Sequence, residues 1–157
     1  MLKLRFIVVD KTRSSFLKEG EDAFLGRIKR YTQMEWVEVR PVRLSRAIPD
    51  EEVKRTEGHS ILQKVGAGDF LVALDRTGKQ YDSEGLADWL KRLSVSMRGA
   101  VCFTIGGPLG LSGEVLERAD ASLSLSKMTL THEMSRLVLL EQIYRAFTII
   151  QGEKYHK

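Results

Sequence analysis

Apolar positions along the chain fall into two alternating patterns, short β-rich runs and longer stretches at helical spacing. Leu2 to Val9 is a β-rich run closed by Asp10-Lys11. From Ser14 to Tyr31, the residues Phe16, Leu17, Phe24, Leu25 and Ile28 recur at helical spacings, with Ser14 or Ser15 placed as a cap. Met34 to Val39 predicts a second strand, ended by Pro41. Pro49 followed by Asp50, Glu51 and Glu52 predicts a helix start, its acids facing the positive end of the dipole. That helix is expected to run to Val65 and stop at Gly66 or Gly68. Phe70 to Leu74 is apolar throughout, as a strand covered on both faces must be, and Asp75-Arg76-Thr77-Gly78 predicts a turn out of it. Asp82 or Ser83 caps a helix whose Leu86, Trp89, Leu90 and Leu93 share one face, ending at Gly99. Ala100 to Ile105 predicts another buried strand, and Ser112 caps a short helix reaching Ala119. Ala121 to Ser126 supplies a fifth strand, and a last helix runs from His132 to Ile150. Strands alternating with helices predict one α/β domain built on a mostly parallel sheet.

The last helix carries apolar side chains on more than one side, among them Met134, Leu137, Val138, Leu140, Ile143 and Phe147. A helix apolar around much of its circumference is buried on several sides. A two-fold homodimer is the economical cover, and additional burial within one chain is the alternative.

Hydrophobic residues make up 43% of the 157 and charged residues 29%, which excludes disordered and fibrous classes. No apolar run approaches the ~20 residues that span a bilayer. No small-residue cleavage site follows the first apolar run, so a signal peptide is not expected. Cys102 is the one cysteine, which forbids an internal disulfide and suits a reducing compartment. A cytoplasmic location is the expectation. The net charge of +4 is compatible with a polyanionic partner without establishing one.

Three strand exits are the candidates for chemistry. Gly106-Gly107-Pro108-Leu109-Gly110 follows a buried strand, where glycines let a ligand approach the backbone. It lacks the G-x-G-x-x-G spacing and the Gly-Lys-Ser/Thr of a P-loop. Asp75 to Gly78 and Ser126 to Thr131 leave neighbouring strands. Together the three would form a pocket rich in backbone donors and acceptors with a few apolar walls, suited to a nucleoside with a polar tail. His59, His132 and His156 are widely spaced and Cys102 has no C-x-x-C partner, so no metal site is expected. Cys102 reads as core, and Arg136, Arg145, Lys154 and Lys157 read as solvated charge.

Several segments taken in order carry a family resemblance. They are Leu74-Asp75-x-x-Gly78, Ile105-Gly106-Gly107-Pro108 with Gly110, Leu123 to Thr129, His132, Glu141-Gln142-x-Tyr144-Arg145-Ala146, and the ending Tyr155-His156-Lys157. In these the chain resembles the ribosomal RNA large subunit methyltransferase H group of the SPOUT class. The resemblance implies an α/β fold with a five- to six-stranded sheet, helices on both faces, and a deep trefoil knot formed by about residues 70–157. It also implies a homodimer that uses S-adenosylmethionine, with no metal, to methylate N3 of a pseudouridine in 23S ribosomal RNA. By position, Leu74, Gly106, Leu125, Ser126, Lys127, Met128, Thr129 and Leu130 would bind the cofactor. Arg145, Tyr155 and His156 are the catalytic candidates, for charge stabilisation, positioning and proton transfer in turn. His132 is expected to organise its turn. Leu109 stands where the family commonly has a polar residue, and Asp10 where it often has glycine. Thr131 stands where proline is common, which is expected to loosen the loop before the last helix. A SPOUT enzyme acting on transfer RNA and a non-catalytic ribosome assembly factor with a vestigial pocket are the alternative readings.

Overall fold

The computed structural model describes residues 2–157, leaving Met1 outside the described residues. Its elements are β1 (Lys3–Val9), α1 (Ser15–Ile28), β2 (Gln33–Val39), α2 (Asp50–Leu62), β3 (Phe70–Lys79), α3 (Ser83–Ser96), β4 (Val101–Ile105), α4 (Gly113–Arg118), β5 (Ala121–Leu123) and α5 (His132–Ile150). The five strands form one sheet in the order β2-β1-β4-β3-β5, and every pairing is parallel. All strand exits therefore lie on one edge.

Side chains of β1 divide by alternation between two cores. Leu4, Phe6 and Val8 join the core covered by α1, α3 and α5, while Ile7 and Val9 join the core covered by α2 and α4. Helices thus cover both faces, which is why β4 is buried at all five positions. Phe6 stacks on its register partner Phe103 at 5.7 Å, and Trp89 of α3 meets Phe103 edge-on at 6.5 Å.

Local polar chemistry sets most boundaries. Asp82, Ser112 and Thr131 each accept a backbone N–H from the first turn of their helix, at 2.7, 3.3 and 3.2 Å. The Thr131 cap replaces the looseness expected from the missing proline with a defined helix start. Ser14 precedes α1 without a side-chain cap bond. Glu133 of α5 instead fixes the segment leading into the helix, accepting the N–H of Ser14 at 3.0 Å and of Arg13 at 3.2 Å.

Two strands depart from expectation. Asp75 to Gly78 does not turn the chain out of the sheet. Leu74 and Lys79 both register with Leu123, so the intervening residues bulge while β3 continues. β5 ends at Leu123 rather than Ser126: the Ser124 N–H still reaches the Lys79 carbonyl at 2.9 Å, and beyond it the Ser124 hydroxyl donates to the Ser126 carbonyl at 3.1 Å in a local turn.

α5 lies between α1 and α3 with no exposed position along its length. Much of its apolar surplus is therefore covered inside one chain. Arg136, read as solvated, is fully buried. It donates to the Val9 carbonyl at 2.5 Å and to the Thr12 hydroxyl at 2.9 Å, and Thr12 in turn donates to buried Glu21 at 2.5 Å.

The layering positions the site. The connections leaving β1 and β3 pass to the α1/α3/α5 face, whereas the connection leaving β4 between them passes to the opposite face. Adjacent strands whose exits part to opposite faces open a crevice at the carboxyl edge. Here a crevice flanks β4 on each side.

Candidate active site

The crevice on the β3 side of β4 is a cavity of about 600 Å³ walled by Leu74 to Arg76, Ile105 to Leu111, and the segment from Leu123 to Ser135. The β4 exit folds back on itself, with Gly107 bridging Gly110. A Cβ on Gly106 would lie 2.6 Å from the Gly110 carbonyl carbon, so only glycine permits this fold-back. Gly110 has φ of +87°, the left-handed region where glycine is at ease. Across the cavity, the Ser126 hydroxyl accepts the Met128 N–H at 3.0 Å and shapes the β5 exit.

Of the residues expected around a cofactor, Leu74, Gly106, Leu125, Ser126, Met128, Thr129 and Leu130 line this cavity. Lys127 is not among the lining residues. His132 and Ser135, from the first turn of α5, do line it.

On the β1 side of β4 lies a second cavity of about 390 Å³. Val9, Asp10, Arg13, Pro41 to Leu44, Val53, Glu57 and Glu133 contribute to it, and it shares Pro108, Leu109 and His132 with the first. The β4 exit loop and His132 therefore form a partition between two adjoining spaces. Burial and the nearby Arg136 cation push the His132 pKa down, favouring neutral imidazole.

Arg145, Tyr155 and His156 come together, but elsewhere. Arg145 Nη1 stands 3.2 Å from His156 Nδ1, and its guanidinium lies 4.7 Å from the Tyr155 ring centre. Glu141, one turn before Arg145 on α5, is the hub: one oxygen accepts from Arg145 Nη2 at 2.5 Å and from the Tyr155 hydroxyl at 3.2 Å. This ion pair raises the Arg145 pKa; burial, then Glu141, raises that of Tyr155. None of the three lines either cavity. Ser135 borders the first cavity, and the ten residues from there to Arg145 span about 15 Å of helix.

Residues 2–156 match the family described as "Predicted SPOUT methyltransferase". The chain belongs to the SPOUT methyltransferase family. It is 44% identical over 156 residues to "Ribosomal RNA large subunit methyltransferase H" of Desulfotalea psychrophila, covering 99% of this chain and 100% of that protein. The protein of the same name from Carboxydothermus hydrogenoformans is 43% identical over 160 residues, with the same coverage of each. Among solved structures, a probable methyltransferase from Bordetella pertussis Tohama I shares the fold, with a TM-score of 0.55 at 18% identity over 93% of this chain and 96% of that one.

Other groups of this SPOUT methyltransferase stand outside the chemistry. Cys102 is fully buried in β4, and burial pushes its thiol pKa up to about 11, so it is not a thiolate nucleophile at neutral pH. Among the described residues, no three of His, Cys, Asp and Glu stand close enough to hold a metal ion. No described helix is long and apolar enough to cross a membrane.

Proposed function

We propose that residues 1–157 act as one SPOUT methyltransferase domain that moves a methyl group from S-adenosylmethionine to N3 of a pseudouridine in 23S ribosomal RNA, within the large subunit or the whole ribosome. The observation that carries this reading is full-length identity above 40% to proteins named for ribosomal RNA methylation. The larger cavity supports it. About 600 Å³ accommodates a nucleoside thioether, and its walls offer apolar surface beside backbone polar groups. Leu74, Gly106, Leu125, Ser126, Met128, Thr129 and Leu130 would hold the cofactor there, and Lys127, outside the lining, would join them only through its backbone neighbours. The sulfonium supplies an activated methyl with its own leaving group. The protein's share is alignment of donor and acceptor, which the rigid fold-back at Gly106–Gly110 favours.

The Arg145–Tyr155–His156 cluster would stabilise the ionised imide and position the base. Its separation from the first cavity along α5 supports a homodimer in which one protomer's cluster serves its twin's cavity. The knot implied over about residues 70–157 and a cytoplasmic location belong to the same reading. The deciding experiment is mass spectrometry of 23S ribosomal RNA from a deletion strain, with calorimetry on the purified protein. The expected outcome is loss of the methylated pseudouridine, its return on complementation, and binding of S-adenosylhomocysteine. Persistence of the mark in the deletion strain overturns the assignment.

A further inference from the structure

α2 is rich in charge, yet Glu57 on it is only 3% exposed, because it shares the stripe of Val53 and Ile61 that packs beneath the sheet. Its Oε2 accepts the Val42 N–H at 3.0 Å and so ties down the chain leaving β2. Its Oε1 would lie 3.3 Å from a Cβ built on Gly107, against the partition between the two cavities. A carboxylate placed there without a cation costs stability, which points to a use.

The other acids around the second cavity are committed. Asp10 gives Oδ2 to Arg13 Nε at 2.9 Å and Oδ1 to the Lys11 N–H at 2.8 Å. Glu133 gives one oxygen to the Ser14 N–H and the other to the Arg13 N–H. Among the described residues, Glu57 is the carboxylate lining this cavity that keeps an oxygen unengaged. The cations facing it are Arg13, held by Asp10, and exposed Arg43 at the rim.

We propose that the second cavity receives the base to be methylated and that Glu57 accepts its imide proton. The proposal rests on the function proposed above. With donor and acceptor meeting at the margin where the two cavities adjoin, lined for both by Pro108, Leu109 and His132, the transfer balances as follows. The carbon–sulfur bond breaks with its electron pair passing to sulfur, N3 supplies the pair for the new carbon–nitrogen bond, and the N3 proton goes to Glu57 Oε1 and then to solvent. Burial, reinforced by Asp10, holds the Glu57 carboxyl above the usual carboxylate range, which suits a proton acceptor near neutral pH.

Glu57→Gln is the test, because the amide oxygen still accepts the Val42 N–H while the basic oxygen is gone. Turnover on ribosomal particles at neutral pH is expected to fall about 100-fold or more. S-adenosylhomocysteine affinity by calorimetry is expected to stay within twofold, and the turnover deficit to narrow as rising pH ionises the imide without help. Independently of turnover, infrared titration of the unliganded protein is expected to show protonated-carboxyl absorbance persisting above the usual range, reduced in Glu57→Gln to the share that buried Glu21 carries. Wild-type turnover in the variant, or parallel losses of turnover and cofactor affinity, overturns the proposal. A loss seen with His132→Asn and not with Glu57→Gln overturns it in favour of the imidazole. A wild-type protein that leaves the pseudouridine unmethylated removes the function itself, whereas an active wild type with an active variant removes only the role of Glu57.

Discussion

Asp10 carries the backbone of a glycine position, with φ of +70° directly after β1. Aspartate tolerates that region because its short side chain bonds locally, here to the Lys11 N–H and the Arg13 guanidinium. Asp10→Ala keeps the strain and loses both bonds, so it is expected to cost about 1–3 kcal/mol in urea unfolding, while Asp10→Gly stays near neutral. Arg136 is a larger liability. Burial pushes its guanidinium pKa down and the Glu21 carboxyl up, and the two are joined through Thr12. Arg136→Met leaves the Val9 carbonyl and the Thr12 hydroxyl without their donor and Glu21 with Lys18 at 3.6 Å as its nearby cation; it is expected to cost about 3–5 kcal/mol, much of it recovered by adding Glu21→Leu, since replacing both charges removes the desolvation penalty. Gly106→Val is expected to abolish S-adenosylhomocysteine binding in calorimetry. The mechanism is displacement of the Gly110 backbone, 2.6 Å from the added Cβ, rather than filling of the ligand space.

Among the elements, β3 and β4 are pinned at their amino ends by a single carboxylate. Asp69 accepts the N–H of Gly66 at 2.8 Å and of Ala100 at 2.9 Å, and pairs with Arg5 of β1 at 2.7 Å. Burial alone would raise its pKa, but these donors and the Arg5 charge outweigh it and hold the group below its ordinary 3.8. A carboxyl depressed in the folded state stabilises above its unfolded pKa and loses that contribution as pH falls through the folded value. Acid titration of stability is therefore expected to steepen below about pH 3.8 and to flatten there in Asp69→Asn. Element boundaries were legible where a local signal decides them. The α5 span from His132 to Ile150 and the caps at Asp82 and Ser112 follow from residues a few positions apart. The continuation of β3 past Leu74 was not legible, because the bulge exists only to keep register with β5, far along the chain. The side-chain bond that anchors the approach to α1 comes from Glu133, across the whole fold.

For the whole molecule, the two crevices beside β4 make cofactor binding a stabilising event. Ligand at about 100 times its Kd adds about 2.7 kcal/mol, so saturating S-adenosylhomocysteine is expected to raise Tm by about 5–10 °C in calorimetry. An unmoved Tm would argue against the pocket. If one protomer's cluster serves its twin's cavity, mixing Gly106→Val protomers with Arg145→Ala protomers restores methylation, because the mixed dimer holds one intact pairing. What the sequence alone determined is the order of elements, the parallel α/β class and the gathering of Gly106 and the Leu125–Leu130 segment at one sheet edge. Those follow from periodicity, turn chemistry and the shared direction of parallel strands. Tertiary structure decided which charges are buried and which neighbours they meet: Arg136 sealed against Val9, Glu57 set against the β4 exit, and Arg145 drawn to Glu141 away from the cavity. Desolvation depends on every segment packed around a group, and that environment comes from residues distant in the chain.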